Sequence, residues 1–250
     1  MKLPLDKKVV LVTGGAKRVG AAIARRLHAV GANVMVHYRG SMRDARALAR
    51  ELNALRADSA ALVKADLLQR DTPQALVKAT LQAFGRIDAL INNASSFYAT
   101  PVGRINQKAW DDLIGTNLKA PLFLAQAAAA ELKKRRGCII NIIDIHAELP
   151  LPDYVVYTVA KGGLLALTRS LARELAPAVR VNGVSPGPIT WPDTSIWKSA
   201  ATRKRIIART LLKRVGEPDD IAKAVEYLLG AAPYVTGQVI AVDGGRSIAL

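Results

Sequence analysis

The stretch that indicates the fold is Thr13-Gly14-Gly15-Ala16-Lys17-Arg18-Val19-Gly20, which follows the apolar run Val9–Val12 and opens a segment with helical periodicity. A buried strand that ends in glycines and leads into a helix is typical of the first turn of a dinucleotide-binding α/β domain. Glycines permit a tight turn and let the backbone approach a pyrophosphate, which the helix N-terminus then binds. An ordinary strand–helix turn also uses glycine, so the rest of the chain must support this interpretation.

Strands and helices alternate along the remainder of the chain. We predict seven strands, at residues 9–12, 33–37, 61–64, 87–91, 138–143, 179–184 and 238–242. We predict helices at residues 18–30, 42–56, 72–85, 108–136 and 154–175. Ser41 is predicted to cap the second helix. The strands lack polar alternation, which indicates parallel strands buried on both faces. We therefore expect an α/β, doubly wound Rossmann-type fold with a seven-stranded parallel sheet and helices on both faces, formed by residues 1–250 as a single domain.

The composition restricts the class of protein. Of the 250 residues, 50% are hydrophobic and only 5% are aromatic, which suits a helix-covered parallel sheet better than a β-sandwich. Cys138 is the only cysteine, so an intramolecular disulfide and a cysteine metal cluster are excluded. The first residues lack the pattern of a signal peptide, and the longest apolar helical stretch, around residues 122–130, is too short to span a membrane. We therefore expect a cytoplasmic protein.

The net charge of +16 comes from 36 lysines and arginines against 20 acidic residues, a balance that attracts polyanions. The densest basic run, residues 133–136, lies at the end of a predicted helix, where cations stabilise the helix dipole. Aromatic residues are not interleaved with this charge, so we expect neither a nucleic-acid partner nor a membrane partner. His28 and His146 have no second ligand at metal-binding spacing, so we expect no metal site.

The cofactor is indicated by the residues after the second strand, because such sheets bind ligands at the carboxyl ends of their strands. NAD sites usually place an acidic residue here to bond the ribose 2′-hydroxyl, but the chain continues Tyr38-Arg39-Gly40-Ser41. Arg18, Arg39 and Ser41 offer donors suited to a 2′-phosphate, which predicts NADPH. The alternative is that the two arginines are ordinary surface charges.

Further motifs follow in an order that is specific to one family. They are Asp66-Leu67, Asn92-Asn93-Ala94, Asn117, Tyr157-x-x-x-Lys161, Asn182, Pro186-Gly187 and Asp243-Gly244-Gly245. Together with the loop at residues 13–20, these motifs resemble the short-chain dehydrogenase/reductase family over nearly the whole chain. The resemblance implies adenine contacts by Asp66 and Leu67, a cofactor cleft lined by Asn93 and Ala94, and catalytic roles for Asn117, Tyr157 and Lys161.

Two departures from the family pattern resemble its pteridine reductase branch. Arg18 replaces the middle glycine of the loop, and Asp144 replaces the catalytic serine. The segments 17–18, 37–38 and 92–98 are also similar to that branch. This resemblance implies that Phe97 stacks on a pterin substrate and that Ser95 touches both cofactor and substrate. It also implies a homotetramer, with the helices near residues 108–136 and 154–175 at an interface.

The predicted site comprises three overlapping sets. The catalytic set is Asp144, Tyr157, Lys161 and Asn117. The substrate-binding set is Ser95, Phe97, Asp144 and Tyr157. The cofactor-binding set is Gly14, Lys17, Arg18, Val19, Gly20, His37, Tyr38, Arg39, Ser41, Asp66, Leu67, Asn93, Ala94, Ser95, Tyr157, Lys161, Pro186 and Gly187.

The chemistry of these side chains favours reduction with proton transfer. Tyr157 and Lys161 are four residues apart on a predicted helix and share a face. We expect the ammonium to lower the pKa of the tyrosine, whose ordinary value of about 10 is poorly suited to proton transfer at neutral pH. Lys161 can also bond the nicotinamide ribose, and Asn117 would support a water chain that resupplies the proton. Asp144 adds a titratable proton, which suits a C=N bond that takes hydride at carbon and a proton at nitrogen.

Three functions remain open at this point. The first is an NADPH-dependent reductase of pterins, and the second is a carbonyl reductase of an acyl thioester or another ketone. The third is a cofactor-sensing or nucleic-acid-binding protein that has kept the fold without the chemistry, which the intact Tyr157, Lys161 and Asn117 argue against. Asp144 could instead cap the following turn, and Phe97 could simply pack a loop. Trp191 and Trp197 could close over substrate or pack the irregular segment that contains them.

Overall fold

The computed structural model describes residues 4–191 and 199–249. Its centre is one parallel sheet of seven strands in the order β3-β2-β1-β4-β5-β6-β7. The strands are β1 (Val9–Val12), β2 (Asn33–Tyr38), β3 (Ala60–Lys64), β4 (Ala89–Asn92), β5 (Cys138–Ile142), β6 (Arg180–Pro186) and β7 (Val239–Val242). All seven predicted strands are present, with ends shifted by at most two residues. The strand order reverses between β1 and β4, which creates the crevice where such sheets bind ligands.

Helices cover both faces of the sheet, as predicted for a Rossmann-type fold. They are α1 (Arg18–Ala29), α2 (Met42–Leu55), α3 (Thr72–Phe84), α4 (Gln107–Ile114), α5 (Ala120–Arg135), α6 (Val155–Leu175), α7 (Ala200–Ala208) and α8 (Pro218–Glu226). One core packs α1, α2 and α8 against the sheet through Leu27, Leu48 and Val225. A second core packs α3, α5 and α6 on the other face through residues such as Leu76 and Leu124. Full burial of such side chains stabilises the fold by about 1.5–3 kcal/mol each.

The helix predicted over residues 108–136 is interrupted. A π-helical turn, Gly115–Lys119, separates α4 from α5. A Cβ on Gly115 would lie 2.5 Å from the Cδ2 atom of Leu68, so the chain passes closely under the loop after β3. The wider turn also directs Asn117 inward, where its Nδ2 donates to the carbonyl oxygens of Leu113 and Ser96. Hydrophobic periodicity does not encode such a turn, because the apolar residues remain in place on either side of it.

Two shorter helices were not predicted, and one predicted cap is wrong. The N-terminus of α8 has a capping box in which the Glu217 amide donates to Asp220, with Pro218 at the first helical position. This pattern was present in the sequence and could have been recognised. Helix α7 buries none of its residues, so it has no apolar stripe that periodicity would reveal. Ser41 precedes α2 but makes no side-chain capping bond.

The residues before β1 that the structure describes, 4–8, are also hydrogen-bonded to the rest of the fold. The backbone of Leu5 donates to Val30, and Asn33 donates to Lys8, so this segment is tied to the end of α1 and the start of β2. None of the helices in the described ranges is long and apolar enough to cross a bilayer.

Candidate active site

The glycine-rich loop between β1 and α1 is held in shape by the neighbouring strand β4. The Thr13 hydroxyl accepts hydrogen bonds from the amides of Asn93 and Ala94, and the Asn93 side chain donates back to the carbonyls of Thr13 and Gly14. Gly14 has a φ of 59°, and a Cβ on Gly20 would lie 2.3 Å from the Gly14 carbonyl oxygen. The glycines are therefore required by backbone geometry and bring the start of α1 to the cleft.

His37, at the end of β2, holds the same loop from the other side. The Gly14 amide donates to Nδ1 of His37 at 3.2 Å, and Nε2 lies 3.1 Å from the Ala65 carbonyl oxygen. This pair of partners requires a neutral ring with its proton on Nε2. Burial lowers the pKa of His37, which favours that neutral form. One ring nitrogen of His37 thus positions the loop, and the other contacts the residue after β3. His37 also lines the cleft, and its predicted contact with the cofactor stays a prediction.

A cleft of about 750 Å³ runs along the carboxyl ends of the strands. Every residue of the predicted cofactor-binding set lines it, as do the substrate residues Phe97 and Asp144. Its open edge is formed by Arg39, Gly40 and Ser41, and Lys17 nearby is paired with Asp44 at 3.0 Å. The close approach of backbone at Gly14 and the extended cleft fit a dinucleotide, with Lys161 available to a ribose and Arg39 to a phosphate.

Arg18 lines the cleft and contacts the loop after β6. Its Nη2 donates to the Thr190 hydroxyl at 2.9 Å and to the Trp191 carbonyl at 3.3 Å, both on the loop after β6. Its guanidinium is therefore directed across the cleft, away from the edge at Arg39. Arg18 also has a φ of 52°, so the arginine keeps the left-handed backbone that a glycine adopts at little cost. The predicted contact between Arg18 and a 2′-phosphate stays a prediction.

The predicted catalytic side chains meet at the ends of β5 and α6. The Tyr157 hydroxyl donates to Oδ2 of Asp144 at 2.7 Å, and Oδ1 of the same carboxylate accepts from the His146 amide at 2.9 Å. Lys161 donates to the Ile142 carbonyl at 2.9 Å and lies 5.7 Å from the centre of the Tyr157 ring. Asp144 thus caps a short 3₁₀ turn and also contacts the phenol, so the structural and chemical interpretations of this residue are compatible.

The electrostatics differ from the sequence-based expectation. Burial raises the pKa of Tyr157 well above its usual value, and the charge and hydrogen bond of Asp144 raise it further. Burial lowers the pKa of Lys161 to about 8, and the negative charge of Asp144 partly opposes that shift. We expected Lys161 to lower the pKa of Tyr157, but desolvation and the carboxylate dominate in the protein alone. Tyr157 is therefore a protonated donor, and Lys161 carries its charge at neutral pH.

Asn117 lies behind the cleft and does not line it. Its Oδ1 accepts a hydrogen bond from the Ser95 hydroxyl at 2.6 Å, and its Nδ2 donates to the Ser96 carbonyl at 3.0 Å. It therefore fixes the segment that carries Ser95 and Phe97. Its predicted role in a proton-supplying water chain stays a prediction.

Phe97 belongs to an aromatic cluster at the mouth of the cleft. Its ring stacks on Tyr154 at 4.6 Å between centroids, with an angle of 20° between the planes, and it meets the Tyr157 ring edge-on at 4.8 Å. Phe97 also borders both the cleft and the cavity described next. One face of Phe97 is thus occupied by Tyr154, so packing and ligand stacking both remain open for this side chain.

A second cavity of about 220 Å³ opens from the cleft beside Tyr157. The residues common to both are Arg18, Phe97, Asp144, Tyr157, Gly187, Ile189 and Thr190. Trp191 closes one side and has the Arg203 guanidinium 5.2 Å from its ring centre. Trp197 lies outside the described residues. Ile189, Thr190 and Arg246 line this cavity but were not predicted from the sequence. Of the three, only Arg246 follows a recognised motif, Asp243-Gly244-Gly245, that could have indicated its position.

A family model described as enoyl-(acyl carrier protein) reductase matches residues 14–247. The match covers the glycine-rich loop, the Tyr157–Lys161 pair and the turn after β7. The chain belongs to the short-chain dehydrogenase/reductase family. It is therefore an oxidoreductase of a family that uses nicotinamide cofactors, and the sequence-based identification of the family is confirmed.

Individual relatives carry different names. The chain is 39% identical to pteridine reductase 1 of Leishmania tarentolae over 280 aligned positions, which cover 96% of each protein. It is 36% identical to 3-oxoacyl-[acyl-carrier-protein] reductase of Staphylococcus aureus over 241 positions, covering 95% of this chain and 97% of that one. An uncharacterised oxidoreductase of Methylorubrum extorquens is 37% identical over 245 positions. These identities are too similar to choose between the first two activities.

The described residues contain no cluster of three or more histidine, cysteine or acidic side chains that could hold a metal ion.

Proposed function

We propose that this protein is an NADPH-dependent pteridine reductase. The reaction adds hydride to the carbon of a pterin C=N bond and a proton to its nitrogen. NADPH, when bound, supplies the hydride. The observation that carries the proposal is the 2.7 Å hydrogen bond from the Tyr157 hydroxyl to the Asp144 carboxylate, at the junction of the cleft and the cavity.

The Tyr157–Asp144 pair is suited to protonating a ring nitrogen. Burial and Asp144 both raise the pKa of Tyr157, which keeps the phenol protonated but also makes it a weaker acid than a free tyrosine. Its proton can therefore move only to a strongly basic atom, such as the ring nitrogen that becomes basic as hydride reaches the neighbouring carbon. The phenolate that remains must take a proton from solvent, and the Asp144 carboxylate, 2.7 Å away, can relay that proton to it. A serine in place of Asp144 could bond a carbonyl oxygen, but it would not titrate in the accessible pH range. The departure from serine therefore favours a substrate that gains its proton at nitrogen.

The other side chains orient the two ligands. The charged Lys161 is placed to bond the ribose next to the nicotinamide and thereby fix the reacting ring. Ser95 and Phe97, fixed by Asn117, border the position of the substrate. Arg39 and Ser41 at the cleft edge, together with the lack of an acidic residue at the end of β2, support NADPH over NADH.

The second candidate is a carbonyl reductase of an acyl thioester or another ketone. The relative from Staphylococcus aureus supports it, because its name describes reduction of a 3-oxoacyl thioester. The presence of Asp144 and Phe97 favours the pterin. Either activity acts on a small molecule, and the proposal includes no nucleic-acid or membrane partner and no metal.

We also propose a cytoplasmic homotetramer in which residues 1–250 act as a single catalytic domain. Helices α4, α5 and α6 expose large apolar side chains, including Trp110 (44% exposed), Phe123 (39%) and Val159 (48%). Side chains of this kind on neighbouring helices support an interface there. Sedimentation velocity of the wild type tests this proposal, since a monomer would contradict it.

A substrate panel tests the proposed reaction. NADPH oxidation is measured with dihydrobiopterin, dihydromonapterin, dihydrofolate and an acetoacetyl thioester at equal concentrations, and the same series is repeated with NADH. We expect the highest kcat/KM with a dihydropterin and NADPH. A higher kcat/KM with the thioester than with every pterin would overturn the proposal in favour of the carbonyl reductase.

A further inference from the structure

The turn after β7 presents one arginine to the substrate cavity. The Asp243 carboxylate accepts hydrogen bonds from the amides of Gly245 and Ser247 at 2.8 and 2.7 Å, which closes the turn around Arg246. Gly244 and Gly245 have φ values of 63° and 79°, so the turn uses conformations that favour glycine. The turn is therefore well defined, and its only long side chain is Arg246, which lines the cavity.

Arg246 borders the part of the cavity that is not shared with the cleft. Arg18, Asp144, Phe97 and Tyr157 line both the cleft and the cavity, whereas Arg246 lines the cavity alone. A substrate whose reacting atoms sit beside Tyr157 would therefore extend its substituent toward Arg246. This placement separates binding of the substituent from the chemistry of hydride and proton transfer.

The charges around the cavity favour an anionic substituent. Within the described residues, the Arg246 guanidinium has no hydrogen-bond acceptor or ion-pair partner. Asp144, the one carboxylate that lines the cavity, is already engaged by the Tyr157 hydroxyl and the His146 amide. Arg18 contributes a second guanidinium to the same walls, which are otherwise formed largely by apolar side chains. Burying a guanidinium without a hydrogen-bond acceptor costs free energy, and a ligand that supplies an acceptor removes that cost. A carboxylate is the best match, because its two oxygens can accept from two N–H groups of the guanidinium at once.

We propose that Arg246 binds a carboxylate on the side chain of the substrate, so that the protein prefers pterins with an anionic side chain over neutral ones. This inference rests on the proposed pterin reduction and names the part of the substrate that sets its specificity. The carboxylate lies in the cavity beyond Tyr157 and takes no part in hydride transfer, so Arg246 acts on the KM of the substrate.

The test uses two ligands of matched size and three variants. Dihydrofolate and its dimethyl ester have the same ring and side chain, but only the first carries carboxylates. Arg246→Leu removes the guanidinium, Arg246→Lys keeps a charge, and Arg205→Leu removes an equal charge from an exposed position on α7 that does not line the cavity. KM and kcat are measured for both ligands at low and high salt.

We expect Arg246→Leu to raise the KM for dihydrofolate about 10- to 100-fold, the effect of losing a hydrogen bond to a charged group. The KM for the ester and the kcat for both ligands should change by less than about twofold. Arg246→Lys should recover part of the affinity, Arg205→Leu should behave as wild type, and salt should weaken only the binding of dihydrofolate.

Equal losses for the acid and the ester in Arg246→Leu would overturn the inference and assign Arg246 to packing. A wild type that reduces both ligands with the same KM would also overturn it, while leaving the proposed reaction intact. A wild type that reduces neither ligand nor dihydrobiopterin would instead contradict pterin reduction itself, and the inference would fall with it.

Discussion

The cofactor half and the substrate half of the cleft are built by different means. In the cofactor half, Thr13, Asn93 and His37 fix the glycine-rich loop by bonds between backbone and side chains of three adjacent strands. In the substrate half, side chains such as Arg18 and Phe97 connect loops that come from distant parts of the sequence. The first half can therefore be recognised from a local motif, whereas the second depends on tertiary packing and is where specificity can vary.

The largest effect is expected where the two halves meet, at Tyr157. Tyr157→Phe removes the hydroxyl that donates to Asp144 and should lower kcat by about 10²–10⁴-fold, the usual contribution of a general acid. NADPH affinity should be retained because the ring still fills its site. Stopped-flow measurement of kcat and titration of NADPH test both statements.

Tyr154→Phe is the matched control for Tyr157→Phe. It removes a hydroxyl from the neighbouring ring while keeping the stack on Phe97. We expect kcat close to that of wild type. A Tyr157→Phe variant that keeps more than about a tenth of the wild-type rate would show that another group donates the proton.

The cofactor half can be tested by reversing one charge at its edge. Arg39→Asp should weaken NADPH binding by about 1.5–3 kcal/mol, because it replaces a donor for the 2′-phosphate with an acid suited to a free 2′-hydroxyl. The Kd values of NADPH and NADH are measured by fluorescence titration. Arg43→Asp, an exposed position on α2 that does not line the cleft, controls for net charge.

Equal effects of the Arg39 and Arg43 substitutions would mean that the preference arises from the overall field of this basic protein. Equal binding of NADPH and NADH by the wild type would remove the basis of the NADPH assignment altogether.

The substrate half can be tested at Phe97. Stacking of a flat ring on an aromatic side chain is worth about 1–3 kcal/mol, a scale taken from nucleic-acid bases. Phe97→Ala should therefore raise the KM for a pterin about 5- to 150-fold and leave NADPH binding nearly unchanged. The KM for a small ketone, measured in the same variant, shows whether the loss is specific to the pterin.

The structure also supplies the competing explanation, because Phe97 packs on Tyr154 and Tyr157. If packing is its main role, the midpoint of thermal unfolding should fall and every substrate should be affected alike. A pterin-specific loss without a large change in that midpoint would favour stacking.

The smallest expected effect concerns His37 and the stability of the glycine-rich loop. A lowered pKa means that the unfolded chain takes up a proton before the folded protein does, so stability is lost as pH falls through the ordinary histidine range. His37→Gln removes this titration. The difference in free energy of unfolding between wild type and His37→Gln should therefore be larger at pH 7.5 than at pH 5.5.

Urea unfolding at the two pH values measures this difference. The loss in His37→Gln at pH 7.5 should be about 0.5–1.5 kcal/mol for each hydrogen bond that is not replaced. A difference that does not change with pH would mean that His37 stabilises the loop by packing alone.

The contrast between the cofactor half and the substrate half of the cleft also explains which features could be predicted from the sequence. The seven strands followed from apolar runs, and the predicted cofactor-binding residues, all of which line the cleft, followed from local motifs and the family resemblance. Residues at strand ends must converge at one edge of a parallel sheet, but Ile189 and Thr190, on the loop after β6, were missed. The direction of Arg18 did not follow, because its partners Thr190 and Trp191 lie more than 170 positions away along the chain. The rise in the pKa of Tyr157 was also missed, because burial outweighs the nearby ammonium and burial is a tertiary property.

The central proposal is that the Asp144 carboxylate adapts this site to reduce pterins rather than ketones. Its most direct test is the kcat/KM of wild type and Asp144→Ser for a dihydropterin and for an acetoacetyl thioester, both with saturating NADPH. We predict that the substitution lowers the value for the dihydropterin at least about 10-fold relative to the value for the thioester, because the proton shared with Tyr157 is lost. Parallel changes for the two substrates would contradict the claim.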